Sequence, residues 1–554
     1  MPIATNPCNA VNAVRVLPKS MTAPMDQPSK DVAGPTRDLT GRSRLVSNVL
    51  FTWGAQMVFF IAGFIMPRMI DRRLGQEVLG VWDFSWSLVT YFRFVEMGIA
   101  SSVNRYVARH WGKQDIAGIN RVVSSATLAL GLAALVVLLI TIISVMSLPY
   151  WFGSRLHEYV SVTQRSVLFL GIMLSVGTAL GAFNGVLTGC HRWELQSLRL
   201  SVWQFITVTA MIVALLFGAG LATLAAITAL GQILGQLTMV SLAFRVCPGL
   251  RLSRSFVDGG TIKELYLYSG KTLLPTISEM LLNQTTSLLI VGSLGPAALA
   301  VFTRPRSLMR QLDSLERKMA MILTPTTSSL EVVGHLEEIR SLLIKSVRYS
   351  IYLVLPLVLV LMIFGGQIMH LWMGPSYANA IIPAILAVGF LGACIQTPIL
   401  FMLEGLNAHG RAGVGQFIGC ALSAVFVFFA LHQLAAGLVG VAIAVTFPLL
   451  IVNLVYLPIL LCRRLGQRLG VFYREVALRP VINLLPFALA LLVARFLLPT
   501  HLALALAICM VGAGTLAVFY WRNVLPHSLK TGLRRYRGKV SRWAGFSKAG
   551  RAVG

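Results

Sequence analysis

Acidic residues are scarce in this chain: 20 Asp and Glu among 554 residues, against 47 Lys and Arg. Charge of either sign makes up only 12%, while 56% of the residues are hydrophobic and the mean hydropathy is +0.76. That composition excludes a water-soluble globular fold. A formal net charge of +27 would suggest nucleic acid in a soluble protein. Here the cations sit beside apolar runs, where anionic lipid headgroups are the simpler partner. Cysteine is sparse and scattered: Cys8, Cys190, Cys247, Cys394, Cys420, Cys462 and Cys509 lie mostly in or near apolar segments, without a CxxC or paired spacing. Neither a disulfide framework nor a metal site is indicated, and no cofactor is expected. Long polar stretches between the apolar runs are missing too. No extramembrane segment is large enough to fold alone, so any chemistry must take place within the membrane.

What is present is a series of about 14 apolar stretches, each near the roughly 20 residues that cross a hydrocarbon core. The loops between them alternate in charge. Arg105–Arg121, Arg245–Lys263, Arg317–Lys345 and Arg463–Arg479 are long and basic, whereas Gly218–Gly220, Gly292–Pro296 and the turn at Gly374–Pro375 are short and nearly uncharged. Basic loops mark the cytoplasmic side, which places both termini in the cytoplasm of a bacterial inner-membrane protein. Residues 1–44 are polar and carry Pro2, Pro7, Pro18, Pro24, Pro28 and Pro35. No apolar run follows a basic start there, so the segment reads as a disordered cytoplasmic tail rather than a cleaved signal peptide. Met21 and Met25 are possible starts besides Met1.

A shift of 220 residues aligns Leu74-Gly75, Val81, Ser87-Leu88, Glu96 and Ala100 with Leu294-Gly295, Val301, Ser307-Leu308, Glu316 and Ala320. The expected organisation is therefore an all-α integral membrane fold with two six-helix lobes, 45–245 and 264–461, joined by a basic loop at 246–263. Six helices per lobe make the repeats parallel, related by a pseudo-two-fold axis along the membrane normal. Two further helices occupy 479–521, and 522–554 is a basic cytoplasmic tail. Within the lobes, span 2 is expected at 79–103, span 4 at 160–188, span 7 at 264–292, span 8 at 296–320 and span 12 at 435–461.

Ionisable residues inside spans cost roughly 2.5–3.5 kcal/mol each at the bilayer centre, so their placement has a cause. Span 2 holds Asp83, Arg93 and Glu96; span 7 holds Lys271 and Glu279; span 8 holds Arg304, Arg306, Arg310, Asp313 and Glu316. Arg306 lies about 15 Å from the outer end of span 8, near mid-bilayer. Arg306, Arg310 and Asp313 fall on one helix face, with Arg304 on the other unless Pro305 re-aims it. Two readings stand. Each cation pairs with a nearby acid (Arg93 with Glu96, Arg310 with Asp313, Lys271 with Glu279) and fixes packing. Alternatively, Arg304, Arg306 and Arg310, with Arg93 and Lys271, line a water-filled cationic cavity for an anionic, phosphorylated substrate that arginine binds bidentately. Asp83, Glu96, Glu279, Asp313 and Glu316 are then the coupling or ion-pair residues. Amides such as Asn283, Gln204, Gln232, Gln396, Gln416 and Asn453 either line the cavity or bond between helices. No catalytic set is evident.

Leu74-Gly75 with Gly80, Glu96-x-Gly98, the basic run "RYVARHWGKQD", "GVLTGCHRWEL" after span 4 and "LWMGPSYANAI" before span 10 together resemble the Wzx-type polysaccharide flippases of the multidrug/oligosaccharidyl-lipid/polysaccharide exporter superfamily. The resemblance covers nearly the whole chain. It implies two six-helix lobes around a central cavity that opens alternately to each side. It also implies transfer of a polyprenyl-pyrophosphate-linked oligosaccharide between leaflets for exopolysaccharide, capsule or O-antigen assembly, alongside a polymerase and export machinery. The two C-terminal helices resemble the extra pair that offers a place for the lipid tail in some lipid flippases. Multidrug exporters of the superfamily often carry an acid in helix 1, but span 1 here has none before Asp71. An ion-coupled exporter and a membrane-embedded polymerase or ligase are the alternative readings; the short outer loops speak against the enzyme.

Reporter fusions within Arg68–Glu77, within Leu148–Tyr159 and at Gly374 should read as periplasmic. Fusions at Arg109, Arg254, Arg464 and the C-terminus should read as cytoplasmic. A periplasmic C-terminus would require an odd number of spans and would break the two-lobe reading.

Overall fold

The computed structural model describes residues 45–96, 99–270, 273–497 and 502–524, and every regular element among them is helical. The expected tails, apart from residues 522–524, lie outside the described residues. The first half of the chain runs α1 (Leu45–Leu74), α2 (Gln76–Phe92), α3 (Ile99–Gly112), α4 (Ile116–Leu156), α5 (Val160–Ala179), α6 (Gly181–Gly189), α7 (Trp193–Leu216) and α8 (Leu221–Val246). The second runs α9 (Gly259–Gly270), α10 (Leu273–Leu294), α11 (Pro296–Ala320), α12 (Leu323–Val333), α13 (Leu336–Met373), α14 (Ile381–Gly405), α15 (His409–His432), α16 (Gly437–Ile451) and α17 (Leu457–Arg464). α18 (Leu469–Tyr473), α19 (Arg479–Leu497) and α20 (Leu502–Phe519) follow.

Ten helical stretches are long and apolar enough to cross a membrane, which makes the chain a multi-pass membrane protein. Leu128, Leu132, Leu135, Leu139, Ile143 and Met146 stand exposed along α4, a stripe that suits lipid and not water. The expected spans 2, 7 and 8 are not among the ten. The reason lies in their sequences. α2 has 17 residues, and α11 carries Arg304, Arg306, Arg310, Asp313, Glu316, Arg317 and Lys318. α2, α10 and α11 pack on one another where the two halves of the chain meet. Helices walled in by other helices are free of the apolarity that lipid demands.

Several expected spans are interrupted. Span 2 ends as an α-helix at Phe92, turns through a 3-10 segment at Arg93–Glu96, and resumes as α3. α3 buries Ile99, Val103, Val107 and Trp111, at i, i+4, i+8 and i+12, against α4, α6 and α9. Its remaining faces are polar, so it packs as a separate amphipathic helix. Span 4 breaks at Leu180 (φ −91°, ψ 1°) between α5 and α6.

Two π-turns have a common origin. Between α16 and α17, the turn Val452–Tyr456 precedes Pro458, which has no N–H for the Leu454 carbonyl four residues back. The Tyr473 hydroxyl donates to that carbonyl instead. Between α18 and α19, the turn Arg474–Leu478 precedes Pro480, which has no N–H for Glu475 in the five-residue pattern. Arg348 Nε donates to the Glu475 carbonyl at 2.8 Å. Helix 13 of the expected series thus starts at Leu469, ten residues earlier than the sequence suggests, because the π-turn carries the helix through Pro480. α19 packs on α20 and on α13: Asn483 Nδ2 donates to the Tyr352 hydroxyl (2.6 Å), and the hydroxyl of Tyr520, in the turn just after α20, donates to the Tyr352 carbonyl (2.5 Å).

Gly75 (φ 95°) and Gly295 (φ 85°) each open a helix, α2 and α11, in a conformation that glycine adopts without strain. They stand 220 residues apart, as do Ile116 and Leu336, which begin the two longest helices. At this glycine end the halves are held together. Gln76 Nε2 donates to the Ala297 carbonyl (3.3 Å), Trp372 Nε1 to the Phe64 carbonyl (2.9 Å), and the Tyr377 hydroxyl to Asp71 (2.6 Å). An alanine Cβ at Gly80 would lie 1.8 Å from the Pro296 carbonyl oxygen.

Gly80→Ala must therefore push α2 and α11 apart, at a cost of roughly 1–3 kcal/mol. The expected outcome is a lower melting temperature of the purified protein in detergent. Gly54→Ala, where nothing lies within 4 Å, should leave it unchanged or slightly raised.

Candidate functional site

α11 is the element around which the site is built. Pro296 at its first position and Gly295 before it fix where the helix starts. Its charged residues then project to two sides. On one side Arg304, buried, pairs with the Asp83 carboxylate of α2, and the Thr303 hydroxyl donates to the same carboxylate oxygen at 2.5 Å. Asp83 and Thr303 are 220 residues apart, so equivalent positions of the sequence repeat touch each other across the two halves. α2 is tied to the second half again where Tyr91 and Thr285 of α10 share a hydrogen bond.

On the other side of α11 a cavity of about 340 Å³ opens among α10, α11, α14, α15, α16 and the π-turn after it. Arg306, Arg310, Arg317, Glu279 and Asp313 line it, with Asn283, Gln396, Gln416, Thr446 and Asn453. Arg317 Nε donates to Asp313 at 2.7 Å, which neutralises both. Arg306 and Arg310 make no ion pair among the described residues. Arg310 is exposed although it sits in the middle of a helix packed among other helices, and it lines the cavity. Against these two cations stands Glu279. The lining therefore carries a net positive charge. The amides both line the cavity and bond across helices: Gln416 Nε2 donates to Asn453 Oδ1 at 3.1 Å.

A second cavity, about 440 Å³, lies among α1, α2, α7, α8 and α11. Asp83, Arg304 and Arg310 line it, together with Trp82, Trp86, Trp372, Gln204, Gln232 and Gln311. Arg310 thus borders both spaces.

The remaining sequence candidates are placed elsewhere. Arg93 is exposed in the 3-10 turn, lines neither cavity and does not pair with Glu96, which instead accepts the Thr178 hydroxyl at 2.7 Å. Arg310 does not pair with Asp313, because Arg317, one helical turn on, reaches that carboxylate first. Glu316 is buried and accepts the Ser350 hydroxyl at 2.6 Å. Lys271 lies outside the described residues, and with it the pairing to Glu279. Sequence reasoning passed over the indoles of Trp82 and Trp86, the role of Arg317, and Arg199, which is buried in α7 and donates to the Gly235 carbonyl at 2.8 Å. The only signal for Arg199 was its place one residue inside an expected span. Among the described residues no cluster of His, Cys, Asp and Glu is arranged to hold a metal ion.

Comparison with known proteins adds a family. The model of the family described as polysaccharide biosynthesis protein matches residues 45–331, just over half of the chain. The chain belongs to that family. The membrane protein EpsK of Bacillus subtilis (strain 168) is 23% identical over 425 residues, 74% of this chain and 82% of EpsK. A Shigella flexneri protein named as an O-antigen transporter is 19% identical over 406 residues, 70% of this chain and 92% of its own length. Among solved structures, the lipid II flippase MurJ in an inward closed conformation superposes with a TM-score of 0.63 at 11% identity, covering 86% of this chain and 99% of MurJ. The resemblance to the flippase superfamily seen in the sequence is thereby shown, and the fold is of the MurJ kind.

The Asp83–Arg304 pair yields a prediction. Arg304→Gln strands a carboxylate at a largely buried position, which typically costs roughly 3–5 kcal/mol. The melting temperature should fall clearly. Asp83→Asn combined with Arg304→Gln should recover most of the loss, since the pair is then replaced by two neutral amides.

Proposed function

We propose that this protein carries a polyprenyl-pyrophosphate-linked oligosaccharide from the inner to the outer leaflet of the bacterial inner membrane, by alternating access and without catalysis of bond making or breaking. The single observation that carries the reading is the pair Arg306 and Arg310: two guanidinium groups without an acidic partner among the described residues, facing a cavity inside a helix bundle. A charge held there needs a compensating ligand, and a pyrophosphate supplies oxygens in the geometry that arginine forks match. The polar head cannot cross roughly 30 Å of hydrocarbon unaided, whereas the polyprenyl tail can remain in lipid. α19 and α20, packed beside α13, are the place the tail would use.

The full architecture in this reading has 14 membrane helices, α1–α8 and α9–α17 forming two six-helix lobes about a pseudo-two-fold axis. The 220-residue recurrence of Gly75/Gly295 and Ile116/Leu336 supports it. With the basic loops in the cytoplasm, the glycine end is the outer end, and the α2–α11 contact at Gly80 and Pro296 is the gate that must part for release. Asp83 and Glu279, which line the two cavities, are the acids placed to couple an ion to that movement. The same two acids favour a second reading, an ion-coupled multidrug exporter on this fold. The product would be handed to a polymerase and export machinery.

The test uses vesicles containing the purified protein and a fluorescent polyprenyl-pyrophosphate-linked sugar, whose flipping is read by a membrane-impermeant quencher. Wild type should flip it, Arg306→Ala should abolish flipping, and Arg306→Lys should impair it strongly, since a bidentate fork becomes a point charge. Failure of wild type to flip this lipid, with transport of a cationic drug instead, would replace the proposal with the exporter reading. Formation or cleavage of glycosidic bonds would sink both.

A further inference from the structure

The two cavities beside α11 differ in chemistry. The one in the second half is cationic, as described. The one in the first half has the same formal excess of one positive charge, but its Asp83 and Arg304 satisfy each other. Arg310 at the shared border is its one unpaired charge among the described residues, where the other cavity has two, Arg306 and Arg310. Its walls are largely apolar (Phe59, Phe64, Met66, Val208, Met211), with three indole rings and three side-chain amides set among them. Trp82 and Trp86 stand edge to face, ring centroids 6.0 Å apart at 78°, and Trp372 also lines the space. The side-chain amides of Gln204, Gln232 and Gln311 have no hydrogen-bond partner among the described residues, and neither do the buried Thr207 hydroxyl and Arg304 Nε. Intramembrane amides normally bond across helices, as Gln416 and Asn453 do in the other cavity. Three unpaired amides converging on one space are instead what a ligand rich in neutral donors and acceptors requires.

The sequence repeat adds an independent point. Trp86 and Arg306 stand 220 residues apart, in corresponding helices, and each lines the cavity of its own half. One position thus carries an arginine fork where the ligand is anionic and an aromatic face where it is not. Phosphate has no use for indoles and neutral amides, and a purely apolar drug leaves the amides unpaired. A sugar fits both groups: its ring C–H face packs on an indole and its hydroxyls exchange hydrogen bonds with amides. We propose that the first-half cavity is the saccharide subsite. The pyrophosphate lies on Arg306 and Arg310 across α11, so that one head group occupies both spaces with Arg310 at the junction. This division rests on the transport reading above. The cavity of about 440 Å³ lies within the roughly 300–1,000 Å³ of known ligand pockets, so a short saccharide is the occupant and a longer chain would protrude.

The experiment compares two lipid probes on the full chain in nanodiscs: polyprenyl pyrophosphate without sugar, and the same lipid bearing N-acetylglucosamine, each radiolabelled for direct binding. Leucine in place of both glutamines (Gln204→Leu with Gln232→Leu) should weaken binding of the sugar-bearing lipid about tenfold, the loss of two or so hydrogen bonds. Binding of the bare pyrophosphate lipid should stay within about twofold, which also certifies that the variant is folded. Arg306→Ala should weaken both. Equal loss on both probes, or no loss on the sugar-bearing one, overturns the subsite. Wild type that binds neither lipid overturns the transport reading and this proposal with it.

Discussion

A helix that carries seven charged residues in 25 has to be kept away from lipid, and much of the arrangement follows from where α11 puts them. A charge in hydrocarbon is costly unless it is paired, hydrated or held by a ligand. α11 uses several of these solutions in succession. Arg304 is paired with Asp83, Asp313 with Arg317, and Glu316 takes a hydroxyl from α13. Arg306 and Arg310 line open space without an ion-pair partner among the described residues. The helices around α11 are consequently those whose packing leaves cavities, while the apolar stripes of α4 and its like face outward. The same constraint explains why α11 is too charged to count as a lipid-facing span.

The backbone obeys a parallel rule. With no water in the hydrocarbon, a carbonyl released by proline must find another donor. Leu454 and Glu475 find Tyr473 and Arg348, each from a different helix. Both π-turns are thereby locked to tertiary neighbours, and the second joins α19 to α13. The Tyr352 contacts with Asn483 and Tyr520 complete that seam. Among the described residues, these contacts of the two last helices are with the second half.

Much of this was legible in the sequence because a charge in an apolar run is conspicuous. The contrast singled out Arg304, Arg306, Arg310, Asp83 and Glu279, all of which border the two cavities. Partner choice was not legible. Asp313 sits one turn from both Arg310 and Arg317, and only the rotation of α11 against α10 and α14 decides between them. Amides were ambiguous for the same reason: Gln416 bonds a neighbour, Gln204 does not, and nothing local distinguishes them. Trp82 and Trp86 were overlooked because an indole in a membrane span is unremarkable until its neighbours are known. Span 2 was drawn as one helix since its apolar count is continuous, although α3 buries its own stripe at a different angle.

The 220-residue repeat gives the clearest view of how two like halves become unlike. Where repeat positions must mate they have diverged into complementary groups: Asp83 meets Thr303 directly, and Arg304, whose counterpart is Phe84, completes the contact. A carboxylate at both positions would place like charges within a few ångströms, a severe penalty in a low dielectric. Glycines that set backbone geometry have been kept in both halves, because at φ near 90° no side chain substitutes without strain. Residues at the cavity walls are mixed: Ser307 and Leu308 match Ser87 and Leu88, while Arg306 stands where the first half has Trp86. Geometry has thus been conserved at the helix starts and chemistry varied at one wall position. A scaffold of this kind presents two cavities with unlike walls on the two sides of α11.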